Sequence, residues 1–279
     1  MSSEDPPGVR SVQQVVVFGA GGMLGHAVAE LFRLNGVTVR GITRSEYDID
    51  RDPLERLEPL LEGDAIVNCA GVIKPRIAAT PITEVLRVNG TFPHNLARLC
   101  LRRSIPCLHV TTDCVYSGRR GGYDERDLID ADDVYGLSKA AGDRAECMVL
   151  RTSIIGEEKG EGRSLLEWAR SQRGKEVNGF TNHRWNGLTT VALAGAISRV
   201  LTERRYQPGI VHLHSPHVVT KAELLEEISA AYGLGLRVRP VPAAEACDRS
   251  LRSIHSLSAE LCRERIPEQL RQMRKFFSS

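Results

Sequence analysis

A tyrosine and a lysine four residues apart have the side chains and spacing that suit acid–base chemistry. They are Tyr135 and Lys139, at the head of an alanine-rich segment. On a helix, positions i and i+4 share one face, so Lys139 would lie over the turn that carries Tyr135. A cation there favours phenolate and lowers the pKa of tyrosine from its ordinary value of about 10. Such a pair passes a proton to or from a sugar or alcohol oxygen, but the spacing alone is common in helices.

A glycine-rich turn follows the first predicted strand. The β-branched run 12–18 predicts a buried strand, and Gly19, Gly22 and Gly25 follow it before a helical pattern. Glycine permits a tight turn and the close approach of backbone N–H groups to a pyrophosphate, while the helix N-terminus adds positive partial charge. The sequence therefore predicts a dinucleotide-binding turn.

The end of the second predicted strand bears on the type of nicotinamide cofactor. In NAD-preferring sites an acidic residue near this point binds the ribose 2′-hydroxyl. Here Arg44 and Ser45 follow the strand, with Glu46 next to them. A guanidinium and a hydroxyl suit a 2′-phosphate, so NADP(H) is predicted, while Glu46 leaves room for NAD(H). Asp48 is predicted to reach the adenine or to cap the next helix.

Two further predicted strands end in small or polar residues, at 68–71 and 111–113. Ligands bind at the carboxyl ends of strands in open α/β sheets, so both ends are candidate ligand contacts. A helical pattern over 81–103 includes Asn89. A long polar loop is predicted at 114–134, and the polar, aromatic stretch 177–190 is expected to lie outside the core.

The alternation of strands and helices over the first 150 residues predicts an α/β fold. The expected architecture is a Rossmann-type doubly wound parallel sheet with a smaller, interleaved C-terminal α/β substrate domain. The dinucleotide-binding domain is predicted at 12–153 plus about 188–214, and the substrate-binding domain at about 154–187 plus 215–279. Residues 1–11 are expected to be a disordered leader.

Composition excludes several classes of protein. The chain has 279 residues, 42% hydrophobic and 26% charged, with a net charge of +2. These values are ordinary for a globular protein and do not favour a nucleic-acid or membrane partner. The 7 cysteines form no C-x-x-C motif. An odd set without ligand spacing indicates reduced thiols in a cytoplasmic protein, and no metal site is predicted.

In this order and at these intervals, the motifs resemble those of the extended short-chain dehydrogenase/reductases, and most closely the dTDP-4-dehydrorhamnose reductase group. The matching segments are Gly19–Gly25, Thr111–Gly118, Tyr135–Asp143 and Arg151–Ser153. The resemblance covers residues 12 to about 215 well and the tail loosely. It implies reduction of the 4-keto group of a nucleotide-linked 6-deoxyhexose, with hydride from NADPH or NADH.

The resemblance also implies roles for individual residues. Thr112, Tyr135 and Lys139 form the expected catalytic trio, in which Tyr135 donates the proton, Thr112 binds the same oxygen and Lys139 holds the nicotinamide ribose. The residues expected to bind the cofactor are Gly19, Gly22, Met23, Leu24, Gly25, Arg44, Ser45, Asp48, Ile49, Asn68, Cys69, Ala70, Gly71, Asn89, Thr111, Tyr135 and Lys139. The residues expected to bind the substrate are Lys74, Thr112, Asp113, Val115, Tyr116, Arg184, Trp185, Asn186, Thr189 and Arg249.

Two departures from the family pattern concern the substrate. Ile154 replaces the usual aromatic residue, and His183–Thr189 replaces the usual D-Q-x-G-x-P-T. Within that segment Arg184 is expected to clamp a diphosphate and Trp185 to stack on a base or sugar, although Trp185 would also suit a core position.

The sequence leaves two alternatives open. One is a nucleotide-sugar epimerase or 4,6-dehydratase of the same fold, although Cys114 stands where dehydratases have an acid. The other is a regulatory subunit resembling the β-subunit of methionine adenosyltransferase. The expected partner is a nucleotide sugar, and a homodimer is one expectation.

Overall fold

The computed structural model describes residues 12–158, 162 and 164–278. Its strands are β1 (Gln14–Phe18), β2 (Thr38–Ile42), β3 (Ala65–Asn68), β4 (Cys107–Thr112), β5 (Met148–Thr152), β6 (Ile154–Ile155), β7 (Glu176–Phe180), β8 (His183–Trp185), β9 (Leu188–Thr189), β10 (Gly209–His212), β11 (Val219–Thr220), β12 (Arg237–Val241) and β13 (Cys247–Asp248). Its α-helices are α1 (Met23–Leu34), α2 (Ile82–Leu86), α3 (Phe92–Arg102), α4 (Val134–Gly142), α5 (Leu165–Ser171), α6 (Thr190–Thr202), α7 (Lys221–Tyr232), α8 (Leu257–Leu261) and α9 (Ile266–Ser278).

The central sheet has six strands in the order β10-β5-β4-β3-β1-β2. Every neighbouring pair is parallel, and helices cover both faces. The predicted doubly wound α/β fold is therefore confirmed. All the carboxyl ends lie at one edge of the sheet, which is where the predicted strand-end contacts must meet.

The alternation of side chains along β1 divides the core into two layers. Val15 and Val17 pack in one cluster with residues of α1 and α6, and Val16 and Phe18 pack in the other with residues of α3. A strand buried on both faces needs apolar residues at every position, which explains the continuous β-branched run.

A separate apolar cluster lies among the C-terminal elements. It contains Trp185 of β8, Leu225 and Ile228 of α7, and Leu270 and Met273 of α9. The expectation that 177–190 lies outside the core is wrong, because the buried residues of this segment pack against helices that follow much later in the chain.

The predicted helix over 81–103 has an irregular centre. Helix α2 passes into a π-helical turn, Arg87–Thr91, before α3 begins. Such turns are rare and often occur at functional sites, and this one carries the buried Asn89.

The leader predicted at 1–11 lies outside the described residues, so the structure does not test that prediction. In the part of the chain that the structure describes, no helix combines the length and apolar character needed to cross a bilayer.

Candidate active site

Helix α4 brings Tyr135 to the end of β4. The helix begins after Asp133, whose Oδ1 accepts the N–H of Gly136 at 2.7 Å. A Cβ atom at Gly136 would overlap the carbonyl oxygen of Cys114. Only glycine therefore lets the first turn of α4 approach the turn that follows β4, and this approach brings Tyr135 close to Thr112.

Tyr135 holds its proton more strongly than the sequence predicted. Burial raises the pKa of its phenol above the ordinary value, the neighbouring Cys114 adds to this, and the nearby Thr112 hydroxyl opposes it. The charge on Lys139 does not outweigh burial, so the predicted lowering of the Tyr135 pKa is wrong for the protein without cofactor. A neutral phenol is the form that can donate a proton.

Thr112 connects the phenol to a buried acid. Its Oγ1 accepts the N–H of Cys114 at 3.1 Å and donates to Asp113 Oδ1 at 3.1 Å. Burial raises the pKa of the Asp113 carboxyl, while Arg249 and the hydrogen bond from Thr112 oppose this rise. Thr112 is fixed from the backbone side, and its hydroxyl hydrogen can turn from Asp113 toward a ligand.

The Lys139 side chain lies against the residues that follow β3. Its Nζ is 3.5 Å from the carbonyl oxygen of Val110, and a Cβ atom at Gly71 would lie 3.1 Å from this Nζ. Burial lowers the pKa of Lys139 to about 8, while Asp143 and Cys69 oppose this change. At neutral pH the side chain is therefore a cation held against the predicted cofactor-binding edge.

The glycine turn after β1 leaves the N-terminus of α1 open. Gly19 has φ of +74°, and a Cβ atom at Gly25 would overlap the Gly19 carbonyl oxygen and lie 2.7 Å from its carbonyl carbon. Gly22 precedes Met23, the first residue of α1, and among the described residues no side chain caps this end. The N–H groups of the first turn therefore remain for an anion, so the turn fits the pyrophosphate of a dinucleotide. Leu24 is buried in the core, so only its backbone faces the turn.

The residues after β2 form a polar cluster. Arg44 pairs with Asp48 at 3.2 Å and with Glu84 at 3.1 Å, while 60% of its side chain is exposed. Ser45 hydrogen-bonds Thr43. Asp48 also accepts the N–H of Asp50 and so closes the next turn, and the neighbouring Ile49 packs against the core.

Two asparagines shape the backbone that follows β3. The Asn89 amide accepts the N–H of Val72 at 2.8 Å and donates to its carbonyl at 3.1 Å. Asn68 hydrogen-bonds His109 at 3.1 Å and accepts the N–H of Ala70. These contacts hold the 69–72 segment beside Lys139, and burial raises the pKa of the Cys69 thiol to about 12. Their roles in cofactor binding stay predictions, as does that of Thr111, which is buried in β4.

Two predicted substrate contacts after Thr112 have side chains inside the fold, so their role in substrate binding stays a prediction for the backbone alone. Val115 and Tyr116 are fully buried in a small apolar cluster. The Tyr116 hydroxyl accepts from Arg151 Nη1 at 2.6 Å, and its ring stacks on Tyr123 with centroids 4.2 Å apart. Arg151 and Tyr123 therefore hold the side chain inside the fold.

Three more predicted substrate contacts have buried side chains that bind other parts of the protein. Trp185 is 6% exposed in the C-terminal apolar cluster. The Asn186 amide exchanges hydrogen bonds of 2.8 and 2.9 Å with the backbone of Leu251, and Thr189 caps α6 through the N–H of Ala192. Their side chains are buried by elements distant in sequence, which local patterns do not reveal.

The cations among the predicted substrate contacts are exposed or half-buried, and each is held by another group of the protein. Arg184 is exposed and lies 3.6 Å from Asp248, and Lys74 pairs with the helix-capping Asp133 at 2.6 Å. Arg249 is half-buried and donates to the carbonyl of Tyr116 at 2.8 Å.

Sequence reasoning missed Lys221, the first residue of α7. Its Nζ lies 5.4 Å from the centroid of the Trp185 ring. Burial lowers its pKa, and the nearby Asp113 opposes this. Lys221 and Arg249 thus place two cations around the buried carboxyl beside Thr112, and the strand pairing of Val219 with Trp185 brings Lys221 there. A lysine at the start of a helix gives no sequence signal for this position.

Comparison with known proteins identifies the family of this chain. A family model described as the RmlD substrate binding domain matches residues 13–276. The dTDP-4-dehydrorhamnose reductase of Mycolicibacterium smegmatis is 28% identical over 240 residues, which cover 82% of this chain and 72% of that protein. The dTDP-4-keto-6-deoxy-D-glucose reductase of Streptomyces niveus is 30% identical over 248 residues, which cover 85% of each.

A solved structure shows the same fold. The dTDP-4-dehydrorhamnose reductase of Bacillus anthracis, in complex with NADP, aligns with a TM-score of 0.80 and 20% identity over 94% of this chain and 99% of that chain. The match of the family model spans nearly the whole described chain. The chain therefore belongs to the RmlD substrate binding domain family of extended short-chain dehydrogenase/reductases.

Proposed function

We propose that this protein reduces the 4-keto group of a nucleotide-linked 4-keto-6-deoxyhexose with NADPH. The observation that carries the proposal is the neutral Tyr135 phenol beside Thr112, at the sheet edge where Lys139 and the open end of α1 also lie. The names of the relatives from M. smegmatis and S. niveus support this substrate class.

The turn after β1 and Lys139 would hold the cofactor. The first-turn amides of α1 would bind the pyrophosphate, and the Lys139 ammonium would donate to the nicotinamide ribose. When bound there, NADPH supplies the hydride for the reduction. The exposed Arg44 supports a preference for NADPH, as does the NADP found in the B. anthracis structure, while NADH also fits the turn.

Two side chains act on the carbonyl oxygen. As negative charge develops there, Tyr135 donates its phenolic proton and Thr112 donates a hydrogen bond, so that the product leaves as an alcohol. The Lys139 charge nearby favours the same change, because it stabilises the phenolate that remains on Tyr135.

Lys221 and Arg249 are proposed to bind the substrate diphosphate. Both cations act on the buried Asp113 carboxyl beside Thr112, and a guanidinium suits phosphate geometry. In the part of the chain that the structure describes, Lys221 makes no ion pair within 4.0 Å and its partners are the Trp185 ring and more distant charges. Its charge is therefore available to a ligand.

Replacing Lys221 by methionine should raise the KM for the nucleotide sugar by about tenfold, because one charge-assisted hydrogen bond is lost. The kcat should change little, since the proton donor is untouched. Steady-state kinetics checks this, with Lys175→Met as the control at an exposed lysine. An unchanged KM in the Lys221 variant would remove Lys221 from the substrate site.

The proposal extends to three further properties of the protein. These are its division into two domains, a homodimer and a cytoplasmic location. The separate apolar cluster of α7 and α9 supports a substrate domain built from the C-terminal elements. Exposed apolar side chains on the adjacent helices α2 and α4, Ile82, Leu86 and Leu137, support a homodimer. All seven cysteines are free, which suits the cytoplasm.

The competing functions differ in what the site must contain. A dehydratase needs an acid after Asp113, and Cys114 has a pKa raised to about 12 by burial, so it stays a neutral thiol. A regulatory subunit needs no proton donor, whereas this chain keeps Tyr135 as a neutral phenol near Thr112.

The test follows the loss of NADPH absorbance when the protein is mixed with each of a panel of dTDP-, GDP-, UDP- and CDP-linked 4-keto-6-deoxyhexoses. NADPH should be oxidised with at least one of them. No oxidation with any sugar, by protein that binds NADPH, would reject the proposed activity.

A further inference from the structure

A buried ion pair begins one helical turn after the catalytic lysine. Asp143 follows α4 four residues after Lys139, as Lys139 follows Tyr135, so the three side chains lie along one side of the helix. Asp143 Oδ2 accepts from Arg151 Nη2 at 2.6 Å and from Nε at 3.0 Å. The two side chains are 0% and 2% exposed.

The Asp143–Arg151 ion pair also interacts with groups outside the pair. Arg151 has further acceptors in the Tyr116 hydroxyl at 2.6 Å and His212 Nε2 at 2.9 Å. Asp143 Oδ1, in contrast, is buried without a well-formed hydrogen bond among the described residues. Burial raises the pKa of the Asp143 carboxyl, and Arg151, the nearby Thr111 hydroxyl and Lys139 oppose this rise. A buried carboxylate with such an oxygen is costly unless other charges compensate it. The nearby Lys139 ammonium is such a charge, since each of the two groups shifts the pKa of the other.

We propose that Asp143 is a positioning residue for the reaction: anchored by Arg151, it keeps Lys139 in the charged form that the active site uses. The inference rests on the proposed function only in the use made of Lys139.

The other groups around Lys139 do not supply this charge. On the segment after β3, Cys69 is a thiol whose pKa is raised to about 12 by burial. On β4, burial holds the pKa of His109 well below its ordinary value, so that it is neutral, and Tyr135 on α4 itself is a neutral phenol. His212, beyond Arg151, has its pKa lowered to about 4 by burial and is also neutral. Asp143 is therefore the anion that acts on Lys139, and Arg151 is the cation that fixes it.

The sign of the effect follows from the charges. Burial alone would remove the proton from Lys139, and Asp143 opposes this. Asp143→Asn should therefore let Lys139 lose its proton at a lower pH than in the wild type. An ion pair with only a structural role would alter stability and leave this pH unchanged.

The test is an NMR titration of protein labelled with ¹³C at lysine Cε, without cofactor or substrate. The sequence has six lysines, so the Lys139 signal is assigned by its loss in Lys139→Met. In the wild type Lys139 should titrate at about pH 8. In Asp143→Asn the titration should move down by on the order of one pH unit.

A second variant is needed because Asp143→Asn leaves Arg151 buried without its carboxylate partner and could misfold. Asp143→Leu with Arg151→Met replaces both by apolar groups, which buried pairs often tolerate. The same downward shift is expected there. Glu157→Gln, which breaks the partly buried pair of Glu157 with Arg170, is the control and should leave Lys139 unshifted.

Titration of Lys139 at the wild-type pH in both Asp143 variants would overturn the proposal. This readout needs no turnover, so its failure is distinct from a failure of the proposed reductase activity. If turnover is found, the alkaline limb of the kcat/KM profile should move in the same direction, and Asp143→Glu should restore it in part.

Discussion

Replacing Tyr135 by phenylalanine should lower kcat by roughly 10³-fold, the loss expected when a general acid is removed. The phenyl ring keeps the packing against the turn after β4, so NADPH affinity and thermal stability should stay close to those of the wild type. Stopped-flow measurement of NADPH oxidation, with NADPH binding followed by fluorescence, separates the two effects.

The control for this variant is Tyr206→Phe. Burial raises the pKa of Tyr206 as it does that of Tyr135, but Tyr206 lies before β10 and away from Thr112. Its loss should leave kcat unchanged. Full turnover in Tyr135→Phe would mean that another group protonates the carbonyl oxygen and that the mechanism is wrong.

Replacing Gly25 by alanine should abolish NADPH binding and lower the free energy of unfolding by about 3 kcal/mol. The new methyl group would overlap the Gly19 carbonyl, and both partners are backbone in a turn that cannot relax without moving α1 away from β1. Urea unfolding and NADPH titration measure the two losses.

Gly21→Ala is the matched control in the same turn. A Cβ atom there would meet only Thr43 Cγ2, at 3.9 Å, and Gly21 is not among the residues with positive φ. This variant should fold and bind NADPH like the wild type. If both variants bind NADPH equally well, the turn is not the pyrophosphate site.

Local sequence predicted the parts of the site that local geometry decides. The glycine turn needs Gly19 and Gly25 because their backbones touch, and the helical spacing places Tyr135 and Lys139 on one face. The parallel sheet followed from the continuous apolar runs and their alternation with helices.

The sequence did not predict contacts between segments that lie far apart in the chain. Trp185 is aromatic in a polar stretch, which favours a ligand contact, yet α7 and α9 cover it. Tyr116 is drawn inward by Arg151, 35 residues later. Lys221 comes near Asp113 because β11 pairs with β8. The raised pKa of Tyr135 likewise depends on burial, which spacing does not show.

The most direct test of the account is the fate of the hydride. NADPH with both hydrogens at nicotinamide C4 replaced by deuterium is to be incubated with the protein and dTDP-4-keto-6-deoxyhexose, and the product sugar analysed by NMR and mass spectrometry. The account predicts one deuterium, bound to C4, and its near-complete absence in Tyr135→Phe over the same time. Deuterium at another carbon, or consumption of the sugar without deuterium transfer, would contradict it.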